Sequence, residues 1–225
     1  MEYFTKPYFY LILLIVAILS YLIGGINPAI IMSKLLYKED IREKGSGNPG
    51  FTNFKRVYGN KFSTWLVLIL DWLKTLIPVL VSGLIFYFNF NLYQFACQFA
   101  GLFVMLGHCF PIYYHFKGGK AFIAGAATLF FVDYRVGLIM ICIFMLILFT
   151  IRYMSLSSTI SAFLSPIGIA LFNIPNFINS DTKVVTIITT ILSIMAALLI
   201  ILRHIPNFKK LYNHQENKFY LTKKA

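Results

Sequence analysis

Acidic residues are scarce in this 225-residue sequence: eight Asp and Glu stand against twenty Lys and Arg. The aspartates Asp40, Asp71, Asp133 and Asp181 are scattered, which leaves no run of carboxylates to hold a divalent cation. Cysteine is rarer still. Cys97, Cys109 and Cys142 are odd in number and sit in or near apolar stretches, so no disulfide framework is implied. They also have no zinc-like spacing with the four histidines, and they read as packing residues. Charged residues make up only 12% of the chain. No internal repeat is evident.

What is abundant is hydrophobic length. Apolar residues account for 59%, against roughly 45–50% in a soluble domain. The mean hydropathy is +0.75, and apolar stretches of about 20 residues recur along the chain. The expected class is an all-α integral membrane protein, with residues 1–225 forming a single polytopic domain. The N-terminal stretch MEYFTKPYFYLILLIVAILSYLIGG has an acid near its start, a long apolar run and no small-residue cleavage pattern. It reads as a first span and not as a secretory leader.

Seven transmembrane helices are expected, over about residues 8–33, 62–86, 93–111, 121–132, 136–151, 156–174 and 184–202. Pro28, in GGINP, should kink or restart the first. The fourth is short enough to read equally as a half-span or re-entrant segment. One set of connecting segments (34–61, 113–120, the Arg152 turn and the tail from Arg203) carries sixteen of the twenty Lys and Arg. The other carries Lys6, Arg135 and Lys183, and Lys74 lies within the second span. The positive-inside rule then places the N-terminus outside and the C-terminus in the cytoplasm.

The formal charge of +12 is compatible with anionic lipid, anionic substrate or nucleic acid. Basic cytoplasmic loops are expected in any membrane protein, so the charge alone selects none of these. More informative is the company it keeps. Six of the fourteen glycines fall in GSGNPG (45–50) and GHCFPIYYHFKGG (107–119), both on the basic side. RYMSLSS (152–158) and RHIPN (203–207) join them there. Glycine-rich turns ahead of helix starts let backbone N–H groups approach an anion, with help from the helix dipole. Lys117 and Lys120 flank FKGGK; Ser46, Asn48, Thr52 and Asn53 offer neutral donors, and Arg56 a forked one.

Each stretch has a plainer reading. GSGNPG is compatible with a simple turn, SLSS with a helix cap, and Arg203 and His204 with snorkelling at the interface. A lone His108 is more often a packed or hydrogen-bonded histidine than a catalyst. GGK is not a P-loop, because Tyr114 stands where its first glycine belongs. Their coincidence on one face favours a phosphate-handling site at the membrane surface. Asp71 and Lys74, three apart in the second span, either pair structurally or help to orient a basic group of that site.

GSGNPGFTNFKR, GHCFPIYYHFKGGK and RYMSLSS, in this order, resemble the signature stretches of the bacterial membrane glycerol-3-phosphate acyltransferases that use acyl phosphate as donor. SYLIGGINPAII, DWLKTLIPV and RHIPNFKKL resemble further stretches, so the likeness runs from about residue 20 to 216. The resemblance implies seven spans in the bacterial cell (inner) membrane and a cytoplasmic active site. It implies acyl transfer from acyl phosphate to the 1-hydroxyl of glycerol 3-phosphate, giving 1-acylglycerol 3-phosphate (lysophosphatidate) and inorganic phosphate in phospholipid synthesis. No cofactor or metal is implied. The partners implied are membrane lipid and, by functional coupling, the enzyme that makes acyl phosphate; nucleic acid is not among them.

Carried over residue by residue, the resemblance implies catalytic roles for Ser46, Arg56, Lys120, Ser155, Ser158 and His204. It implies substrate-binding roles for Asn48, Thr52, Asn53, His108, Lys117, Gly118, Gly119 and Asn207, with Gly107, Pro111 and Glu216 also in the matched stretches. Phe51 replaces a usual alanine, Ala121 and Ala124 a typical Gly and Thr, and Thr75 a glycine; NHQE lacks the glycine that commonly precedes the acid.

None of the four histidines has Asp five positions later, which departs from the H-x-x-x-x-D of soluble and eukaryotic-type acyltransferases. The donor's own phosphate is therefore the expected proton acceptor, with His108 and His204 positioning or structural. Three rival classes fit less well. A transporter of phosphorylated solutes predicts polar sites near the midplane. A scaffold leaves the placed Ser, Asn and Gly without purpose. A CDP-alcohol phosphotransferase needs a run of aspartates.

Overall fold

The structure, a computed structural model, describes residues 5–220. Among them every regular element is helical. The first apolar run is two helices, α1 (Pro7–Gly25) and α2 (Pro28–Tyr37). Pro28 restarts the helix at its first position, where its missing N–H is no loss. The Asn27 side chain caps α2 by accepting from Ile30 N at 3.0 Å.

A further helix, α3 (Phe51–Tyr58), is not apparent in the hydropathy pattern; it follows the first glycine loop directly. Then come α4 (Phe62–Phe90), α5 (Tyr93–Cys109), α6 (Phe122–Val132), α7 (Tyr134–Ile151), α8 (Met154–Phe172), the short α9 (Ile174–Ile178) and α10 (Ser180–Tyr212). The last extends well beyond the expected 184–202, through Pro206. Hydropathy marks the part of a helix that lies in lipid, not where its hydrogen bonds stop.

Six helical segments are long and apolar enough to cross a bilayer. The eleven residues of α6 reach only about 16 Å, roughly half of a ~30 Å hydrocarbon core. The reason lies just upstream. Gly118 and Gly119 are buried and sit against His108 in the last turn of α5. The chain thus passes inward without helix before α6 begins.

Helix α5 is the hub, packed against α1, α4, α6 and α10. A Cβ on Gly107 would collide with the Tyr21 carbonyl, so glycine there sets the close approach of α1 to α5. Apolar side chains such as Leu14, Ile77, Leu146, Phe163 and Leu198 point outward, as lipid-facing positions do in a bundle with no water to hide from. At the basic end, Ala29, Ile30, Ile41, Phe54 and Val67 form a small core that fixes α3 against α2 and α4. Stacking of Tyr37 on Tyr58, with centroids 3.8 Å apart, closes it.

Candidate active site

The first glycine loop is built around Asn53. Its Oδ1 accepts from Ser46 N at 2.8 Å, and its Nδ2 donates to the carbonyls of Ile41 and Lys44. Gly45 adopts φ +59°, and a side chain there would also run into Asn53. Asn53 is thereby occupied in shaping the loop. Ser46 and Arg56 are exposed, and Asn48 and Thr52 half-buried. Phe51 packs on Trp65, which accounts for an aromatic at that position. Asn27 Nδ2 donates to Pro49 O at 3.0 Å, tying this loop to the break between α1 and α2.

The second stretch is held from two sides. Gly119 N donates to His108 O at 3.0 Å. Arg203, from α10, donates through Nε to Gly119 O (3.0 Å) and through Nη2 to Gly118 O (2.8 Å). Arg203 is therefore a fork that fixes the glycine loop, and it is more than a snorkelling residue. Lys117 is exposed at the loop's shoulder.

Beneath lies a buried polar cluster. Lys74 Nζ donates to Ile26 O (2.7 Å) and to His108 Nδ1 (2.9 Å), and lies 3.0 Å from Asp71 Oδ1. That carboxylate oxygen makes no aligned hydrogen bond. We read the contact as an ion pair, since charge attraction at this distance does not need alignment. Asp71 and Lys74 are thus paired, and Lys74 also orients His108.

The third stretch does not cap its helix. The residue preceding α8 is Tyr153, with no side-chain cap, and Ser155 occupies the second helical position. Ser155 Oγ donates to Glu216 Oε2 at 2.6 Å, and Asn207 Nδ2 donates to Glu216 Oε1 at 2.7 Å. Lys120 Nζ donates to Asn207 Oδ1. A continuous chain Lys120–Asn207–Glu216–Ser155 therefore joins the starts of α6 and α8 to the end of α10. Glu216, whose NHQE stretch lacks the usual preceding glycine, is at its centre. Ser158 lies one turn below Ser155 and is buried. His204 Nδ1 is 2.8 Å from Ile200 O, so in the neutral ring it is the protonated nitrogen and Nε2 is left with its lone pair.

Burial pushes the Lys120 ammonium down to about 8; Glu216 raises it, while Lys210, Arg203 and Arg56 lower it further. Three further cations and one carboxylate thus act on Lys120. The tail runs on from Glu216 so that Phe219 N donates to Arg152 O (2.7 Å) and the Phe219 ring lies 4.7 Å below Lys55 Nζ. Arg203 and the tail contacts carry no sequence-level signal, because their partners lie far along the chain. The excess of positive charge, with hydroxyl and amide donors, can hold more than one phosphate-like group. No cluster of three metal-ligating side chains occurs among the described residues.

Fold and site together define an integral membrane protein with a cation-rich cluster of polar side chains at one end of a helical bundle. The chain belongs to the glycerol-3-phosphate acyltransferase family, whose profile matches residues 14–214. A glycerol-3-phosphate acyltransferase of Francisella tularensis subsp. mediasiatica is 35% identical, over 90% of this chain and 91% of its own. Glycerol-3-phosphate acyltransferase 2 of Bacillus anthracis is 38% identical, over 89% and 96%. The protein from Ureaplasma urealyticum serovar 10 is 38% identical, over 68% of this chain and 64% of its own length.

Among solved structures, PlsY (YgiH), an integral membrane glycerol 3-phosphate acyltransferase, superposes in its glycerol 3-phosphate form with a TM-score of 0.77 and 31% identity. That match covers 92% of this chain and 96% of the other. The lysophosphatidic acid form gives a TM-score of 0.74, also at 31% identity, covering 92% and 95%. A role in phospholipid biosynthesis follows from the family.

Proposed function

We propose that the protein transfers an acyl group from acyl phosphate to the 1-hydroxyl of glycerol 3-phosphate, releasing inorganic phosphate, on the cytoplasmic face of the bacterial inner membrane. The observation that carries this reading is the hydrogen-bonded chain Lys120–Asn207–Glu216–Ser155, with Arg203 fixing the glycine loop beside it and the charges of Arg56 and Lys210 acting on Lys120. Both substrates bear phosphate, each about −1.5 to −2 by analogy with phosphomonoesters. Bringing them together against their repulsion is the main task, and a cationic site with fixed donors performs it.

In the proposed step the glycerol C1 oxygen attacks the acyl carbonyl carbon. The bond from that carbon to the phosphate oxygen breaks, and the hydroxyl proton leaves on the departing phosphate. Arg56, Lys117 and Lys120 hold the phosphates, with Ser46, Asn48, Thr52 and the Gly118 amide beside them, while the Gly119 amide, bonded to His108 O, shapes the loop. The Ser155 backbone amide, in the first turn of α8, and the Ser158 hydroxyl stabilise the tetrahedral oxyanion, while the Ser155 hydroxyl, donating to Glu216, holds the turn in place. Asn53, His108 and Asn207 hold the loops, and His204 positions. A second reading, with His204 Nε2 as base, has one observation in its favour: the ring's other nitrogen faces Ile200 O.

The same reading takes α6 as a crossing, for seven passes with the N-terminus outside. Supporting it, Arg135 at the start of α7 donates to Phe172 O at the end of α8, at the end of the bundle away from Lys120 and Ser155.

The test is a donor comparison with purified protein and glycerol 3-phosphate, offering palmitoyl phosphate, palmitoyl-CoA or a palmitoyl thioester of acyl carrier protein. Lysophosphatidate from acyl phosphate, with the thioesters idle, is the expected outcome. Product from a thioester alone would reassign the donor.

A further inference from the structure

Helix α10 ends at Tyr212, yet the chain beyond it stays docked. Residues 218–220 lie along Arg152 and Tyr153, the turn between α7 and α8. Phe219 N donates to Arg152 O at 2.7 Å. The Arg152 guanidinium lies 5.2 Å from the Tyr220 ring, and Lys218 Nζ lies 5.9 Å from the Tyr153 ring. All are within reach of a cation–π attraction.

The Phe219 ring, half-buried, reaches a second anchor. It lies 4.7 Å from Lys55 Nζ, and the same ammonium is 5.8 Å from the Trp65 ring. Lys55 belongs to α3 and Trp65 to α4. One aromatic of the tail therefore ties the helix that follows the first glycine loop to the start of α8. Glu216 lies between the end of α10 and these anchors, with no helix beneath it. Its carboxylate is held by Ser155 and Asn207. On a loose chain end those two bonds would have to offset the entropy of ordering the whole segment. With residues 218–220 docked, the segment is a short loop fixed at both ends.

We propose that Phe219 is a positioning residue: by latching onto Lys55 and Arg152 it holds residues 213–220 as a strap between α3 and α8, and so keeps the Glu216 carboxylate on Ser155 and Asn207, beside Lys120. Its part in the reaction rests on the acyltransferase reading above. The charge state of Lys120 reports the strap. Burial, Lys210, Arg203 and Arg56 hold the Lys120 pKa down at about 8, Glu216 opposes them, and His204 faces the same ammonium. Releasing Glu216 lowers that pKa further. Merely uncovering the lysine would hydrate it and raise the pKa toward the ordinary lysine value.

The experiment treats the full-length protein, without substrate, with trace acetic anhydride from about pH 6 to 10, spanning the lysine's titration. Acetylation of Lys120 is followed by mass spectrometry. The midpoint of the profile reports the amine's titration and not its exposure. In Phe219→Ala the midpoint should fall by about one pH unit, while Phe219→Tyr, which keeps the ring, should match wild type. Lys55→Met should shift it in the same direction, and adding Lys55→Met to Phe219→Ala should shift it no further, because both cut one latch. Lys55→Met leaves the tail intact and keeps the test decisive if Phe219→Ala does not fold. A midpoint unmoved in the folded variants, or one that rises, would overturn the strap. Because the labelling needs no substrate, a wild type that makes no lysophosphatidate would overturn the acyltransferase reading separately.

Discussion

Lys74 Nζ lies 2.9 Å from His108 Nδ1, inside the bundle. An ammonium has donors only, so Nδ1 accepts, and the imidazole is a neutral ring protonated at Nε2, beside Gly119. Such a ring has no free lone pair to take a proton. His108→Gln should therefore keep kcat within about tenfold of wild type, below the 10²–10⁴ usual for a general base. Steady-state kinetics in mixed micelles checks this; a loss of 10⁴ with glycerol 3-phosphate binding intact would refute it.

The same cluster predicts a stability effect. Lys74→Met strands Asp71 as a buried, unpaired carboxylate, at a cost of about 3–5 kcal/mol. Asp71→Asn combined with Lys74→Met removes the stranded charge and should recover most of that loss. Thermal unfolding of the two variants against wild type is the readout.

Lys120 makes phosphate binding sensitive to pH. Its free-state pKa is about 8, and a bound phosphate, being anionic, raises it. Below pH 8 the lysine is already charged, so its contribution is constant. Above pH 8 binding must take up a proton, and affinity for glycerol 3-phosphate falls by up to about tenfold per pH unit. Calorimetric titration from pH 7 to 9.5 (about the range needed) should show this slope in wild type and none in Lys120→Met.

Ala121 has φ +57°, in the left-handed region, immediately before α6. Alanine is strained there and glycine is not. Ala121→Gly should add about 1 kcal/mol, or roughly 2–4 °C in Tm. A lower Tm would show that the strain has been absorbed by the surroundings.

Arg203 grips two adjacent carbonyls with two nitrogens. Lysine cannot reproduce the fork. Arg203→Lys should raise KM for glycerol 3-phosphate about tenfold by loosening the Gly118–Gly119 loop, with a smaller effect on kcat. An unchanged KM would mean that His108 alone holds the loop.

The long spans are legible in the sequence because about 20 apolar residues have few other uses, and the break at Pro28 because proline cannot continue a helix without losing a bond. The stretches around Ser46, Lys120, Ser155 and His204 are legible as polar groups with no role in crossing a bilayer. Other features leave little or no local trace. The eight residues of α3 do have helical spacing, with Phe51, Phe54 and Tyr58 on one face, but the segment is short and too polar to stand out among the apolar spans. Its stability comes from Tyr37 and the small core below it. The Arg203 fork reaches a loop 84 residues away, and Glu216 meets Ser155 across 61. Only the folded chain brings these together.

The most direct test of the central claim is a phosphorus NMR time course of the purified protein with glycerol 3-phosphate and palmitoyl phosphate, in the presence of chelator. The account predicts that the acyl phosphate signal declines as inorganic phosphate and lysophosphatidate grow in equal amounts, and that Lys120→Met slows all three together by about 10²–10³. Acyl phosphate hydrolysed without lysophosphatidate, or lysophosphatidate formed without equal release of phosphate, would contradict it.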